Sequence, residues 1–206
     1  LVPFAPRREF INYINQASSM NSLTHAAPKR EPSSLDLGVI GNCQVSALLD
    51  AQGRYVWLCL PRLDGDPVFC SLLRDDAPEE QQGFFSIELA NQSHTEQRYE
   101  RNTPILETIL SDEQGTRVRI RDFCPRFQQF GRNYRPSMAI RIVELLSGHA
   151  VIVARLRPQS HYGQQPALRH IGNNHLRYES ADMSWRVTTD MSLTSCLLYT
   201  SDAADD

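Results

Sequence analysis

"ILETILSDEQGTRVRIRDF", residues 105–123, carries the pattern that sets the fold. Ile105, Glu107 and Ile109 alternate with Leu106, Thr108 and Leu110. "DEQG" then turns the chain, and "TRVRIRDF" points Val118 and Ile120 one way and Arg117, Arg119 and Arg121 the other. A period of two belongs to a β-strand, and two such runs around a glycine-containing turn read as an antiparallel hairpin. The arginine row reads as the wet face of a sheet that buries only its other side. A groove for an anionic ligand is the alternative.

The same reading extends in both directions. "QVSALLD", residues 44–50, and "RYVWLCL", residues 54–60, flank "AQG". Asp50 suits the first turn position and Gly53 a positive φ. "MAIRIVELLSGHAVIVARLRP", residues 138–158, reads as a third hairpin with Ser147 and Gly148 at its tip. Shorter strands are expected at 84–89, 98–101, 168–171, 175–179 and 184–188. Helical spacing is weak, with 68–74 the one exception in the body of the chain. Many short strands with turn signals between them predict an all-β protein, an antiparallel β-sandwich of two large sheets.

The chain has 206 residues, 41% hydrophobic and 22% charged, with a formal net charge of −3. That length fits one sizeable domain. No basic excess points to nucleic acid. No apolar run approaches the roughly 18 residues of a membrane span, and the start lacks a signal peptide's apolar stretch, so a cytoplasmic location is expected. Five cysteines, an odd number with no C-x-x-C pair, read as buried free thiols in a reducing compartment, with metal or disulfide use the alternative. His170 and His175 are not at a ligand spacing, so neither a metal nor a cofactor is expected.

Residues 1–34, with Pro3, Pro6, Pro28 and Pro32, read as a poorly ordered leader with one short helix near Arg8–Ile14. Residues 35–195 form the sandwich domain. "CLLYTSDAADD", residues 196–206, is similar to a translated sequencing adapter and is expected to be foreign to the domain. Without its three aspartates, the acidic residues equal the 21 of Lys plus Arg. The domain is therefore expected to be truncated before the next part of its polypeptide.

Four blocks in order carry a family resemblance: "LGVIGNCQVSALLDAQGRYVWLCLPRLDGDPVFCSLL" (37–73), "QRYERNTPILETIL" (97–110), "VRIRDFCPR" (118–126) and "RIVELLSGHAVIVARLRPQSHYG" (141–163). Together they resemble the N-terminal domain of bacterial glycoside hydrolase family 15 proteins, the glucoamylase-like and trehalase-like enzymes. The resemblance implies a β-sandwich placed before an (α/α)6 barrel that hydrolyses α-linked glucosides with inversion. It places the general acid and the general base, both glutamates roughly 6.5–9.5 Å apart, in that barrel. It therefore implies no catalytic residue here, and makes the missing barrel, with its α-glucoside or trehalose, the partner of this domain. Glu88, Glu100, Glu107, Glu144 and Glu179 fall in strand-like text and read as solvated or salt-bridged. The chain departs from the family pattern at Cys43, Leu63 and Gly65, and a glycine at 65 is expected to loosen its loop.

That loop is "PRLDGDP", residues 61–67, where an apolar strand gives way to three charges between two prolines. Arg62 offers five donors in a rigid fork and Asp64 offers acceptors, groups that suit a hydroxyl-rich substrate. The bland reading is an internal pair, Arg62 with Asp64 or Asp66, that shapes the turn. Trp57 either stacks on a sugar or packs in the core, and its phase with Tyr55 and Cys59 favours the core. A free-standing carbohydrate-binding or purely structural sandwich is the competing function.

Overall fold

The computed structural model describes residues 34–74, 77–78, 81–164, 167–181, 183–191 and 193, with the backbone alone at 167–170. The leader helix expected near Arg8–Ile14 and the tail at 196–206 lie outside these residues. In chain order the strands are β1 (Gly38–Gly41), β2 (Ser46–Leu49), β3 (Tyr55–Leu60), β4 (Asp66–Phe69), β5 (Phe84–Leu89), β6 (Gln92–Tyr99), β7 (Leu106–Asp112), β8 (Arg117–Phe123), β9 (Phe127–Gln129), β10 (Arg132–Tyr134), β11 (Ile140–Ser147), β12 (Ile152–Arg157), β13 (Ala167–Ile171), β14 (His175–Glu179) and β15 (Ser184–Thr188).

Two large antiparallel sheets face each other. One runs β1-β2-β3-β5-β12 with β4 also paired to β3, and the other runs β11-β8-β7-β6. Their inner faces meet in two apolar clusters. Ile40, Val45, Tyr55 and Leu58 pack with Leu106, and Ile87 and Leu89 pack with Leu110, Val118 and Ile120. Burying each such side chain is worth roughly 1.5–3 kcal/mol, which is what drives the sheets together. Separate small sheets, β9-β10 and β13-β14-β15, complete the all-β sandwich.

The hairpin at 105–123 forms as its sequence dictates. Leu110 pairs with Val118, and Val118 and Ile120 are fully buried. Its turn is shaped by Asp112, whose Oδ1 accepts the backbone N–H groups of Gln114 and Thr116 at 2.9 and 2.8 Å. Gly115 takes a φ of +84°. Asp50 does the same for β2–β3, accepting from Gln52 and Arg54, with Gly53 at φ +73°. Both are aspartate-initiated turns closed by a residue that tolerates the left-handed region.

Four sequence readings are corrected. Residues 138–158 are not a hairpin: β11 pairs with β8 and β12 with β5, so Ser147-Gly148 carries the chain from one sheet to the other. The crossing is tied down where Ser147 Oγ donates to the Gly115 carbonyl at 2.8 Å. Residues 68–74 are not a helix but the end of β4 and a single 3-10 turn, Ser71–Leu73. Pairing of β4 with β3 holds the first part extended, and the N–H groups of Cys70 and Ser71 both go to the Gly83 carbonyl just before the turn. Of the strand expected at 98–101 only Arg98 and Tyr99 are extended, as the end of the longer β6, whose "QSHTEQRY" is mostly exposed and so shows no apolar alternation. Trp57 is not in the core. Leu48 pairs with Trp57 but Leu49 with Tyr55, so a bulge at Val56 shifts the phase of the strand. Tyr55 and Leu58 enter the core cluster, while Trp57 is left half-buried outside it.

One charged cluster lies between the sheets. Arg141 grips Asp122 in a bidentate pair, Nε to Oδ1 at 2.7 Å and Nη2 to Oδ2 at 3.0 Å. Tyr55 OH donates to Asp122 Oδ1 at 3.1 Å, and Arg141 also donates to the Gly53 carbonyl. The guanidinium lies 4.5 Å from the Tyr55 ring centroid and 4.8 Å from that of Phe85. Burial, and then the Asp122 carboxylate, push the Tyr55 phenol well above its ordinary range. This cluster links β3 and β5 of one sheet to β8 and β11 of the other.

Candidate functional site

The polar loop after β3 is the bend of the β3–β4 hairpin. Leu60 pairs with Asp66 and Cys59 with Pro67, so the apolar text that resumes at Val68 is β4 docking back beside β3. Gly65 donates its N–H to the Arg62 carbonyl at 3.0 Å, and a Cβ at 65 would collide with the Leu60 carbonyl. Gly65 therefore tightens this loop rather than loosening it. Arg62 Nη2 lies 3.1 Å from Asp64 Oδ2, with the two side chains 66% and 75% exposed. The pair is internal to the turn, and both charges still face water. Trp57 joins neither of them; its ring meets Tyr162, with centroids 6.3 Å apart at 47°.

Tyr162 comes from the loop after β12, and the hairpin holds that loop in place. Asp66 Oδ2 accepts the His161 N–H at 2.7 Å, the Val68 carbonyl accepts from Gln159 at 2.9 Å, and Arg74 Nη1 donates to the Tyr162 carbonyl at 2.6 Å. These bonds hold two successive non-glycine residues in the left-handed region, His161 at φ +46° and Tyr162 at φ +58°. Each costs roughly 1–2 kcal/mol, which the three anchors offset. The result presents Tyr162, 54% exposed, as a second aromatic face beside Trp57. The Cys59 thiol is pushed up by burial and then by the Asp66 carboxylate, against a smaller lowering by Trp57. Sequence reasoning singled out Trp57, Arg62 and Asp64. It read Asp66 only as a possible partner of Arg62, and it missed Arg74, His161 and Tyr162; for the last two the local signal was "SHYG" at 160–163, a loop with an aromatic followed by glycine.

The glutamates named from the sequence are all paired. Glu88 meets Arg155, Glu100 lies 3.8 Å from Arg121, Glu107 2.6 Å from Arg98, Glu144 2.7 Å from Arg119, and Glu179 3.3 Å from Arg177. Arg119 and Arg121 of the expected wet face thus build an ion-pair network across β6, β7, β8 and β11. The Arg119 hydrogen bond holds Glu144 below the usual carboxylate range, the opposite of what a general acid needs. Among the described residues no group of three His, Cys, Asp or Glu side chains could hold a metal ion. Cys59, Cys70 and Cys124 are buried free thiols, as read, and burial followed by the Asp122 carboxylate raises Cys124 to about 12. Cys43 is free but exposed, because it occupies the β1–β2 turn at φ +71°.

The arrangement offers recognition chemistry: two aromatic faces, an exposed guanidinium and an exposed carboxylate on stiffly held loops. The family described as trehalase-like, N-terminal, matches residues 29–190. A trehalase of Thermoplasma volcanium is 29% identical over 129 residues, 62% of this chain and 20% of that protein. The chain thus spans about a fifth of the length of that relative. No solved structure gives a significant match.

Proposed function

This chain belongs to the trehalase-like N-terminal domain family, and we propose that it is the non-catalytic β-sandwich of an inverting α-glucoside hydrolase of glycoside hydrolase family 15, trehalase-like or glucoamylase-like. In this reading it supports the catalytic (α/α)6 barrel of a cytoplasmic enzyme. The loops carrying Arg62, Asp64 and Tyr162, with Trp57 on β3, then line the mouth of that barrel and contact substrate hydroxyls. The observation that carries the reading is the state of the carboxylates. An inverting hydrolase needs one glutamate kept protonated and another free to activate water. Here Glu88, Glu100, Glu107, Glu144 and Glu179 are each held by an arginine. In this reading acid and base come from elsewhere in the polypeptide, and the match covers only 20% of the trehalase relative.

Amplifying the source locus past codon 195 tests this. The expected result is an in-frame helical region with two essential glutamates whose product hydrolyses an α-glucoside, while the 206-residue chain alone turns over neither trehalose nor maltose. A native stop within a few codons of Ser195 would sink the proposal. The Trp57–Tyr162 corner also fits a free-standing carbohydrate-binding sandwich, which that stop, together with saturable trehalose or maltose binding by the chain alone, would favour.

A further inference from the structure

The β9–β10 hairpin has no role in the site above. It spans Pro125 to Pro136, "PRFQQFGRNYRP", and among the described residues pairs with no other strand. Every residue of both strands is exposed. An isolated two-stranded hairpin is marginal in water. This one is fixed at its base, where Asn42, 3% exposed, donates through Nδ2 to the carbonyls of both Pro125 and Pro136 at 2.9 Å. It is stiffened along its length by Phe127 and Tyr134, stacked across the strands with centroids 5.4 Å apart.

The tip is anomalous. Gln129 pairs with Arg132, so Phe130-Gly131 is a two-residue turn, with φ of +51° and +70°. Both positive angles are those of a type I′ turn, where the first position favours Asn, Asp or Gly. A phenylalanine there is strained, and its ring, 86% exposed, gains nothing from this fold. Asparagine would be cheaper and more soluble. The remaining chemistry is cationic: Arg132 adjoins the tip, Arg126 and Arg135 stand at the base, and no Asp or Glu occurs between Asp122 and Glu144. Among the described residues none of these three arginines makes an ion pair within the chain.

We propose that this hairpin is a docking finger whose anchor, Phe130, seats in an apolar socket with an acidic rim on the remainder of the parent polypeptide. The inference rests on the functional reading above. Two observations select that occupant. The curated relative carries four-fifths of its length outside the region matched here, so a large surface remains for the sandwich to seat against. The finger's charge is of one sign, so its seat must supply the other. Exposed aromatic residues and arginines along one finger have the composition enriched at interfaces.

The test measures hydrogen exchange at the amides of residues 127–134 in the 206-residue chain and in the full-length parent, with Phe130→Asn in both. Exchange in the parent should be at least tenfold slower than in the chain. Phe130→Asn should abolish that protection and speed proteolytic separation of sandwich from barrel about tenfold, yet leave the melting temperature of the 206-residue chain unchanged or raised. Equal exchange in parent and chain, or protection that survives Phe130→Asn, would overturn the proposal. So would protection that appears in the short chain as its concentration rises, which would assign the finger to contact between copies. Trehalose and maltose turnover by the wild-type parent reads the functional proposal separately. A protected finger in an inactive parent upholds docking and sinks the hydrolase reading; an unprotected finger in an active parent does the reverse.

Discussion

Arg141 and Asp122 meet with side chains 5% and 0% exposed, whereas Arg62 and Asp64 meet with side chains 66% and 75% exposed. The chemical groups are the same. The first pair is bidentate, bonded to Tyr55 and the Gly53 carbonyl, and flanked by two aromatic rings. Its bonds are all made inside the fold. The second has a single contact, within one turn, between residues two apart. Water takes the rest of its donors and acceptors, and a substrate can replace that water. The environment, not the residue type, separates a charge that holds the sheets from a charge that can read a ligand.

The contrast is sharpest for Asp122→Ala. It leaves Arg141 charged and buried without its partner, which costs about 3–5 kcal/mol. Urea unfolding of the 206-residue chain measures this, and a loss below ~1 kcal/mol would erase the distinction between the two pairs. Asn42→Ala comes next. It removes four hydrogen bonds, two given to Pro125 and Pro136 and two accepted from Gln44 and Val45, at a cost of about 1–3 kcal/mol. The β9–β10 amides should exchange faster in that variant even where the chain stays folded.

Alkaline pH probes the buried side alone. Cys124 has an ordinary value of 9.0, raised in the fold to about 12 by burial and then by Asp122. Its stabilising contribution is therefore complete below pH 9 and lost progressively as pH rises toward 12, because only the unfolded chain gives up the proton easily. Tyr55, also raised, adds to the loss above pH 10. Stability should be level up to about pH 9 and then fall, and Cys124→Ala should make the fall shallower. A chain equally stable at about pH 7 and about pH 11 would contradict the burial of these groups.

Features written locally were legible in the sequence, and features written across the chain were not. The Asp50 and Asp112 turns were readable because aspartate, glycine and their partners lie within four residues. The crossing at Ser147-Gly148 was not, since an alternating strand looks the same whichever sheet receives it. Trp57 was misplaced because one bulged residue, Val56, inverts the phase of the strand beyond it. At the candidate site, Arg62 and Asp64 stood out as charges between prolines. Asp66 and His161 are 95 positions apart, and only the fold shows that one orders the other's loop. Phe130 left a faint trace, a bulky residue before glycine where a turn residue belongs, but three-residue strands are too short to declare a hairpin around it.

The smallest expected change in stability belongs to the exposed pair, and it bears most closely on whether the loop faces substrate. In the full-length parent, Arg62→Ala and Asp64→Ala should each cost at most about 1 kcal/mol of stability, since an exposed pair contributes no more. A hydrogen bond from a charged side chain to a substrate hydroxyl is worth roughly 1.5–3 kcal/mol when water is excluded. Its loss should lower kcat/KM about 10- to 150-fold. Melting temperature and kcat/KM on trehalose and maltose, measured together for both variants, decide the matter. A substrate-facing loop predicts a nearly unchanged melting temperature with kcat/KM reduced at least about tenfold. A lowered melting temperature with kcat/KM within about threefold of wild type would contradict that and leave the loop a turn-shaping element of the fold.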